Sequence, residues 1–315
     1  MPALTTAALA LLGLTGTTQV LAARREARAA RRTPPTGQDV DVGGRRLHVA
    51  VIGERGPDLV LIHGSSGNIR DFTHRLAPEL AQRYRVFVVD RPGFGWSDPL
   101  PGGGTLVDQA GAIQEAVARL GATRPLVLGH SYGGAVALAW AATRPGTLAG
   151  LLPLSGVAYP WETGLGAYYT VLSHPLGLSL VIPLLTAFTP TPVIRSEIGK
   201  VFRPQQAPAG YIGHFGPDLT LRRSQMRVNA RQRRALLAEI EALSPRWAEI
   251  AVPVEVVHGE SDDIVPVEIH AARLAERLPG ARLTRLPGIG HAPHHVAIPD
   301  VIAAIDRLAI RADVN

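Results

Sequence analysis

Leu126-Val127-Leu128-Gly129-His130-Ser131-Tyr132-Gly133-Gly134-Ala135 decides how this chain folds. The first three residues suit a buried strand, Ala135 to Ala142 suits a helix, and between them stands a serine with glycine two positions away on either side. A strand that turns directly into a helix strains the residue at the turn and lifts its side chain clear of the backbone. Side chains two residues away would collide there, which accounts for Gly129 and Gly133. The arrangement presents Ser131 as a nucleophile. A serine that only caps a helix would fit the same five letters, so the partners elsewhere in the chain must decide.

On both sides of this turn, short β-branched or Leu-rich runs alternate with Ala-rich helical stretches, the pattern of parallel strands joined by crossover helices. Asp39 to Val42 and Arg46 to Ile52 flank a Gly43-Gly44 turn and read as an opening hairpin. Strands follow at Leu59 to Ile62, Val86 to Val89, Leu126 to Leu128, Leu151 to Leu154, Val254 to Val257 and Arg282 to Leu286. Helical patterns fall at Asp71 to Gln82, Leu106 to Leu120, Ser131 to Ala142, Val267 to Leu278 and Val296 to Ala309. The rhythm stops between Val157 and about Ile250, where prolines and mixed apolar and basic runs replace it. The expected architecture is α/β, a mostly parallel eight-stranded sheet flanked by helices. Residues 39–156 and 251–315 form its core, and 157–250 form a helical cap inserted into it.

Composition narrows the chemistry. The 315 residues, 46% hydrophobic and 18% charged, are those of an ordinary globular core. With no cysteine there is no disulfide, thiolate metal site or cysteine nucleophile. The formal charge of +6 is concentrated in Arg24 to Arg32 and Arg222 to Arg234; outside those segments acids outnumber bases, so nucleic acid is not an expected partner. Arg223, Arg227, Arg231 and Arg234 fall on one helical face, read as solvated. Leu4 to Ala23 is an uncharged stretch long enough to reach across a bilayer, at about 1.5 Å per residue. With the arginines behind it, residues 1–32 read as a membrane anchor with the catalytic body on the cytoplasmic side, and 33–38 as a linker.

Further motifs complete the set. His63-Gly64-Ser65-Ser66-Gly67 follows the third strand, and Asp90-Arg91-Pro92-Gly93-Phe94-Gly95-Trp96-Ser97 follows the fourth. His258-Gly259-Glu260-Ser261-Asp262-Asp263-Ile264-Val265-Pro266 follows the seventh, and Gly288-Ile289-Gly290-His291 precedes the last helix. With the Ser131 turn these stand in the order of the α/β-hydrolase superfamily, and the chain resembles its capped serine esterases and lipases from about Val40 to Leu308. The resemblance implies a base at His291, rather than His63, His130, His294 or His295, and an acid at Asp262, with Asp263 as the rival. It also implies an oxyanion hole from the backbone N–H groups of Ser65 and Tyr132. Asp90 to Ser97 reads as a tight structural turn.

A serine hydroxyl becomes nucleophilic only when a base takes its proton, and an imidazole oriented by a carboxylate does so without a metal. His291, His294 and His295 have no acidic residue at helical spacing, so no metal site is expected, and no cofactor. The expected activity is cleavage of a small to medium apolar carboxylic ester through an acyl-enzyme. Carbon–carbon hydrolysis or a cofactor-free perhydrolase reaction on the same triad stays open, as does a non-enzymatic ligand receptor built on this scaffold.

Overall fold

A computed structural model describes residues 2–162, 164 and 166–314, with the side chains of residues 2–12 excepted. Eight strands form one sheet in the order β1-β2-β4-β3-β5-β6-β7-β8. They are β1 Gln38–Val42, β2 Arg45–Ile52, β3 Asp58–Ile62, β4 Arg85–Val89, β5 Leu126–His130, β6 Gly150–Leu154, β7 Glu255–Gly259 and β8 Arg282–Leu286. Only β2 runs against its neighbours; every pairing from β4 to β8 is parallel.

Each strand sits within about a residue of its expected place, because a sheet buried on both faces demands unbroken apolar runs. Alternate side chains feed two separate cores. Val60, Ile62, Phe87, Val89 and Val127 pack on one face, and Leu59, Leu61, Val86, Val88, Leu126 and Leu128 on the other.

In chain order the helices are α1 Pro2–Arg32, α2 Arg70–Thr73, α3 Leu76–Leu80, α4 Leu106–Arg119, α5 Tyr132–Thr143, α6 Ala167–Ser173, α7 Ile182–Phe188, α8 Thr191–Val201, α9 Tyr211–Phe215, α10 Arg223–Leu243, α11 Arg273–Arg277, α12 Pro293–Val296 and α13 Ile298–Arg311. A capping box opens α4, with Thr105 and Asp108 each satisfying the other's backbone N–H. The helix expected over Asp71 to Gln82 is two short ones, α2 and α3, and the pattern at Val267 to Leu278 begins as a π-helical turn.

Between β6 and β7 the described chain is helical and forms no strand, as the break in the strand–helix rhythm implies. The basic face of α10 is not solvated throughout, contrary to the sequence reading. Arg223 pairs with Glu26 at 2.7 Å and also meets Gln19, while Arg227 donates to the Leu178 carbonyl. Arg231 and Arg234 stay exposed. Sequence periodicity could not show that α1 would supply partners for this face.

Of the expected anchor, the side chains of residues 4–12 lie outside the described residues. No single helix among the described residues is long and apolar enough to cross a membrane. Instead, small side chains on one face of α1, Thr18, Ala22 and Ala29, are buried. Arg25 reaches the carbonyls of Thr186 and Thr189 and pairs with Asp218 at 3.0 Å, so α1 is seated against the insertion. The expected linker is held too. Thr33 is buried, the Pro34 carbonyl accepts from Arg70, and the Gly37 N–H donates to His48.

One turn shows how tightly glycine placement is enforced. Gly95 has φ +51°, and a Cβ there would run into the Asp90 carboxyl, which accepts from the N–H groups of Ile69 and Trp96, each at 2.8 Å. Gly43 has a similar φ of +59° but faces open space. Gly43→Ala should therefore cost about 1 kcal/mol and Gly95→Ala clearly more, upwards of ~2 kcal/mol, read as the difference between their urea midpoints.

Candidate active site

Ser131 stands between β5 and α5 with φ +54° and ψ −117°, conformational ground that a non-glycine residue rarely occupies. Three hydrogen bonds hold it there. Its N–H donates to the Leu154 carbonyl at 3.0 Å, and its carbonyl accepts from Gly134 at 3.0 Å and Val157 at 3.1 Å. The flanking glycines are required as the sequence implies. A Cβ on Gly129 would meet the Gly133 carbonyl, and one on Gly133 the Ile62 carbonyl.

Asp262 and His291 come together from the ends of β7 and β8, with Asp262 Oδ2 and His291 Nδ1 2.7 Å apart. Both are buried, and Asp263 is exposed, which separates the two acid candidates. Burial alone would push the Asp262 carboxyl up. Hydrogen bonds from His258 and His291 and from the Val265 N–H outweigh it and hold the group below the ordinary carboxylate range. A carboxylate only accepts, so His291 gives it Nδ1–H and keeps Nε2 for exchange.

The Ser131 hydroxyl forms no hydrogen bond to the described residues, His291 included, and its turn meets the His291 segment through a neighbouring side chain. His130, its neighbour in the turn, donates Nε2–H to the His291 carbonyl at 2.8 Å. His130 thus ties the Ser131 turn to the His291 segment. The structure brings the acid and base into contact and sets the serine beside the base's own anchor. In unliganded sites such catalytic contacts are commonly loose and tighten around substrate.

The loop after β3 lies against this turn; a Cβ on Gly64 would stand 3.0 Å from that of Ser131. Tyr132 is the first residue of α5, where the helical ladder supplies no acceptor for its N–H. Ser65 follows Gly64 in the adjoining loop. Two side chains that sequence reasoning passed over shape that loop. Arg91, fully buried, donates to the carbonyls of His63 at 2.9 Å and Gly64 at 3.1 Å, and to Gln109 and Gln232. Burial lowers its pKa to about 10, and it lies across the rings of Phe94 and Tyr132. By occupying carbonyl oxygens it fixes which way the loop's peptides point. Asn229 of α10 accepts from the Ser66 N–H and donates to the Ser66 hydroxyl at 2.9 Å. His63 is structural, as expected: Nε2 accepts from the Arg91 N–H at 3.0 Å, and Nδ1–H donates to Gly64.

The insertion grips the loop that carries His291. Gln205 donates to the Gly288 carbonyl at 2.6 Å and accepts from the Gly290 N–H at 3.0 Å. Immediately after His291, His294 and His295 direct Nε2–H to Asp71 at 3.3 and 2.9 Å. Tyr211 of α9 donates to the same carboxylate at 2.7 Å. No acidic residue stands at helical spacing from these histidines, and their acidic partner Asp71 arrives instead from more than two hundred residues away. The three ligand-type atoms lie within 4.8 Å of one another, yet the carboxylate already accepts from three donors. The trio is a clamp joining α2, the insertion and the His291 segment.

Comparison with known proteins identifies the fold family. A family model described as alpha/beta hydrolase fold matches residues 57–297. A magnesium-chelatase 30 kDa subunit of Rhodobacter capsulatus is 31% identical over 249 residues, 77% of this chain and 83% of that one. A 2-hydroxy-6-oxononadienedioate/2-hydroxy-6-oxononatrienedioate hydrolase of Klebsiella pneumoniae subsp. pneumoniae is 27% identical over 259 residues, 80% of this chain and 88% of that one. The crystal structure of an alpha/beta hydrolase fold protein from Burkholderia ambifaria superposes with TM-score 0.70 at 26% identity, over 85% of this chain and 96% of that one.

The buried imidazoles make folding sensitive to acid. Burial lowers the pKa of His63 to about 3 and of His270 and His294 to about 4, and holds His130 well below its ordinary value. These rings stay neutral when folded, while the unfolded chain protonates them below about 6.5. Their contribution is complete above that pH and is lost as pH falls towards 4. Asp90, raised to about 6 by burial, and Glu239, also raised by burial, act with the opposite sign but are outnumbered by the imidazoles. Stability should fall between pH 6.5 and 4 by about 1.4 kcal/mol per pH unit for each imidazole not offset. Thermal melts across that range check it, and a flat Tm would contradict it.

Proposed function

Because the chain belongs to the alpha/beta hydrolase fold family, we propose that it is a serine hydrolase that cleaves an apolar carboxylic ester with Ser131, His291 and Asp262. The observation that carries the reading is the left-handed Ser131 turn beside a buried His291–Asp262 pair at 2.7 Å. Ser131 Oγ attacks the ester carbonyl carbon as His291 Nε2 takes its proton. Asp262 stabilises the resulting imidazolium through Nδ1–H. The oxyanion forms against the N–H groups of Tyr132 and Ser65, donors that need no reorganisation at the moment of attack. As the tetrahedral intermediate collapses, His291 returns the proton to the departing alcohol, leaving an acyl-Ser131. Water, deprotonated by His291, then attacks the acyl carbon and frees the acid.

A cavity of about 60 Å³ borders the loop, lined by Ser66, Tyr168, Leu172, Thr220, Leu221, Met226 and Asn229. None of these side chains carries a charge, which supports an uncharged acyl group. A second reading, carbon–carbon hydrolysis, is favoured by the name of the Klebsiella relative, a hydrolase of a dienedioate. A dioate has two carboxylates to neutralise, and this lining offers no cation. Assay of a ring-cleavage dienedioate beside p-nitrophenyl esters separates the readings, and turnover of the dienedioate alone would reverse the preference.

A fluorophosphonate probe should label the wild type at Ser131 and leave Ser131→Ala unlabelled, with the modified peptide located by mass spectrometry. Asp262→Asn should keep the fold and lower kcat by about 10⁴, the order seen when a triad acid is replaced by its amide. Gln205→Ala frees the His291 loop without touching substrate; kcat should fall about tenfold, and KM should change little, since a small misplacement of a catalytic group acts on the transition state.

A further inference from the structure

Of the large apolar side chains exposed among the described residues, all but Val51, Ile264 and Ile310 lie on α1 or between Tyr168 and Val193. Leu176, Leu180, Leu184 and Phe188 recur every four residues through a π-helical turn at Gly177–Val181 and α7, so they share one face. The opposite face is buried through Ile182 and Thr186. No acidic residue occurs between Glu162 and Glu197, so placing this stretch in an apolar medium buries no carboxylate.

The stripe has a basic border. Arg24, Arg28, Arg31 and Arg32 of α1 are exposed and form no ion pair with the described residues. They stand apart from Arg25, which is bound to Thr189 directly beyond Phe188 and so places the arginine-rich turn of α1 at that end of the stripe. An apolar stripe bordered by unpaired guanidinium groups matches an anionic phospholipid surface, whose headgroups take the arginines while the acyl region takes the leucines.

We propose that α1 and the α6–α7 face form an interfacial surface that seats the protein on anionic bilayers, lying on the membrane rather than crossing it. Tyr168 links this surface to the chemistry, because it is 55% exposed on α6, the helix just before the stripe, and also lines the cavity that Ser66 lines. Resting on the hydrolase reading above, the substrate class is an ester dissolved in lipid, entering from the bilayer at Tyr168.

The test uses full-length protein with vesicles of phosphatidylcholine alone or with 30 mol% phosphatidylglycerol added, about 0.3 of the lipid carrying the surface charge. Flotation should show binding to the anionic vesicles, at least fivefold weaker to neutral ones, reduced by salt and released at alkaline pH as for a protein that does not span. Leu180→Asp with Leu184→Asp should abolish binding while leaving Tm and hydrolysis of a water-soluble ester unchanged, because both side chains face outward. Arg24→Gln with Arg28→Gln and Arg31→Gln should remove the preference for anionic lipid. A bilayer-dissolved ester should be turned over faster by the wild type than by the double aspartate variant. Absence of vesicle binding, or binding that the aspartates leave intact, overturns the proposal. So does a dimer that they convert to monomer, which would make the stripe a self-association face. Fluorophosphonate labelling of Ser131 is read on the same samples, so loss of lipid binding with labelling retained rejects this surface and spares the hydrolase reading.

Discussion

The backbone of Ser131, held at φ +54°, is the constraint around which the active end of the sheet is arranged. Such a conformation costs on the order of 1–3 kcal/mol and persists only where neighbours over-determine it. Here the end of β6 takes its N–H, Val157 and Gly134 occupy its carbonyl, and two glycines clear the space on either side. The parallel sheet supplies this precision because β3, β5 and β6 run side by side in register, ending their strands on the same edge. The base and acid loops leave that edge from β8 and β7, so the nucleophile's surroundings follow from strand order more than from any single contact.

Buried polar groups make the arrangement specific. Arg91 has no carboxylate in contact and is satisfied by carbonyl and amide oxygens alone, so removing it would strand several acceptors at once. Asp71 has the complementary role, an anion with Tyr211, His294 and His295 as donors. Each network joins segments distant in sequence through several hydrogen bonds at once, which ties those segments to one relative placement. Replacing Asp71 by an apolar residue would leave three donors facing hydrocarbon; the clamp is therefore all-or-none.

Much of this was legible in the sequence where short-range rules operate. Strand positions followed from apolar runs, the Ser131 turn from glycine spacing, and Asp262 and His291 from motif order after β7 and β8. Interactions across long separations were not. Asp71 meets His295 from 224 residues away, Gln205 meets Gly288 from 83, and Asn229 meets Ser66 from 163. None has a local signature, since a surface Gln or Asn looks the same before the chain has folded. The same limit explains one misreading. The arginine face of α10 was judged alone, yet Glu26 and Gln19 of α1 meet its Arg223.

These long-range contacts change what the insertion is for. A lid that only covered a pocket would need no polar bonds to the base's loop. Gln205 instead ties both carbonyl and N–H groups around Gly288 and Gly290, Tyr211 closes the Asp71 clamp just past His291, and Asn229 secures Ser66 beside the oxyanion loop. Three separate segments of the insertion thus reach both sides of Ser131. The same insertion carries α7, and α7 carries α1 through Arg25. The α7 half of the α1–α7 face thus belongs to the same inserted stretch whose other segments hold the loops around Ser131 and His291. In this chain the insertion is better understood as the outer half of the active site than as a cover placed over it.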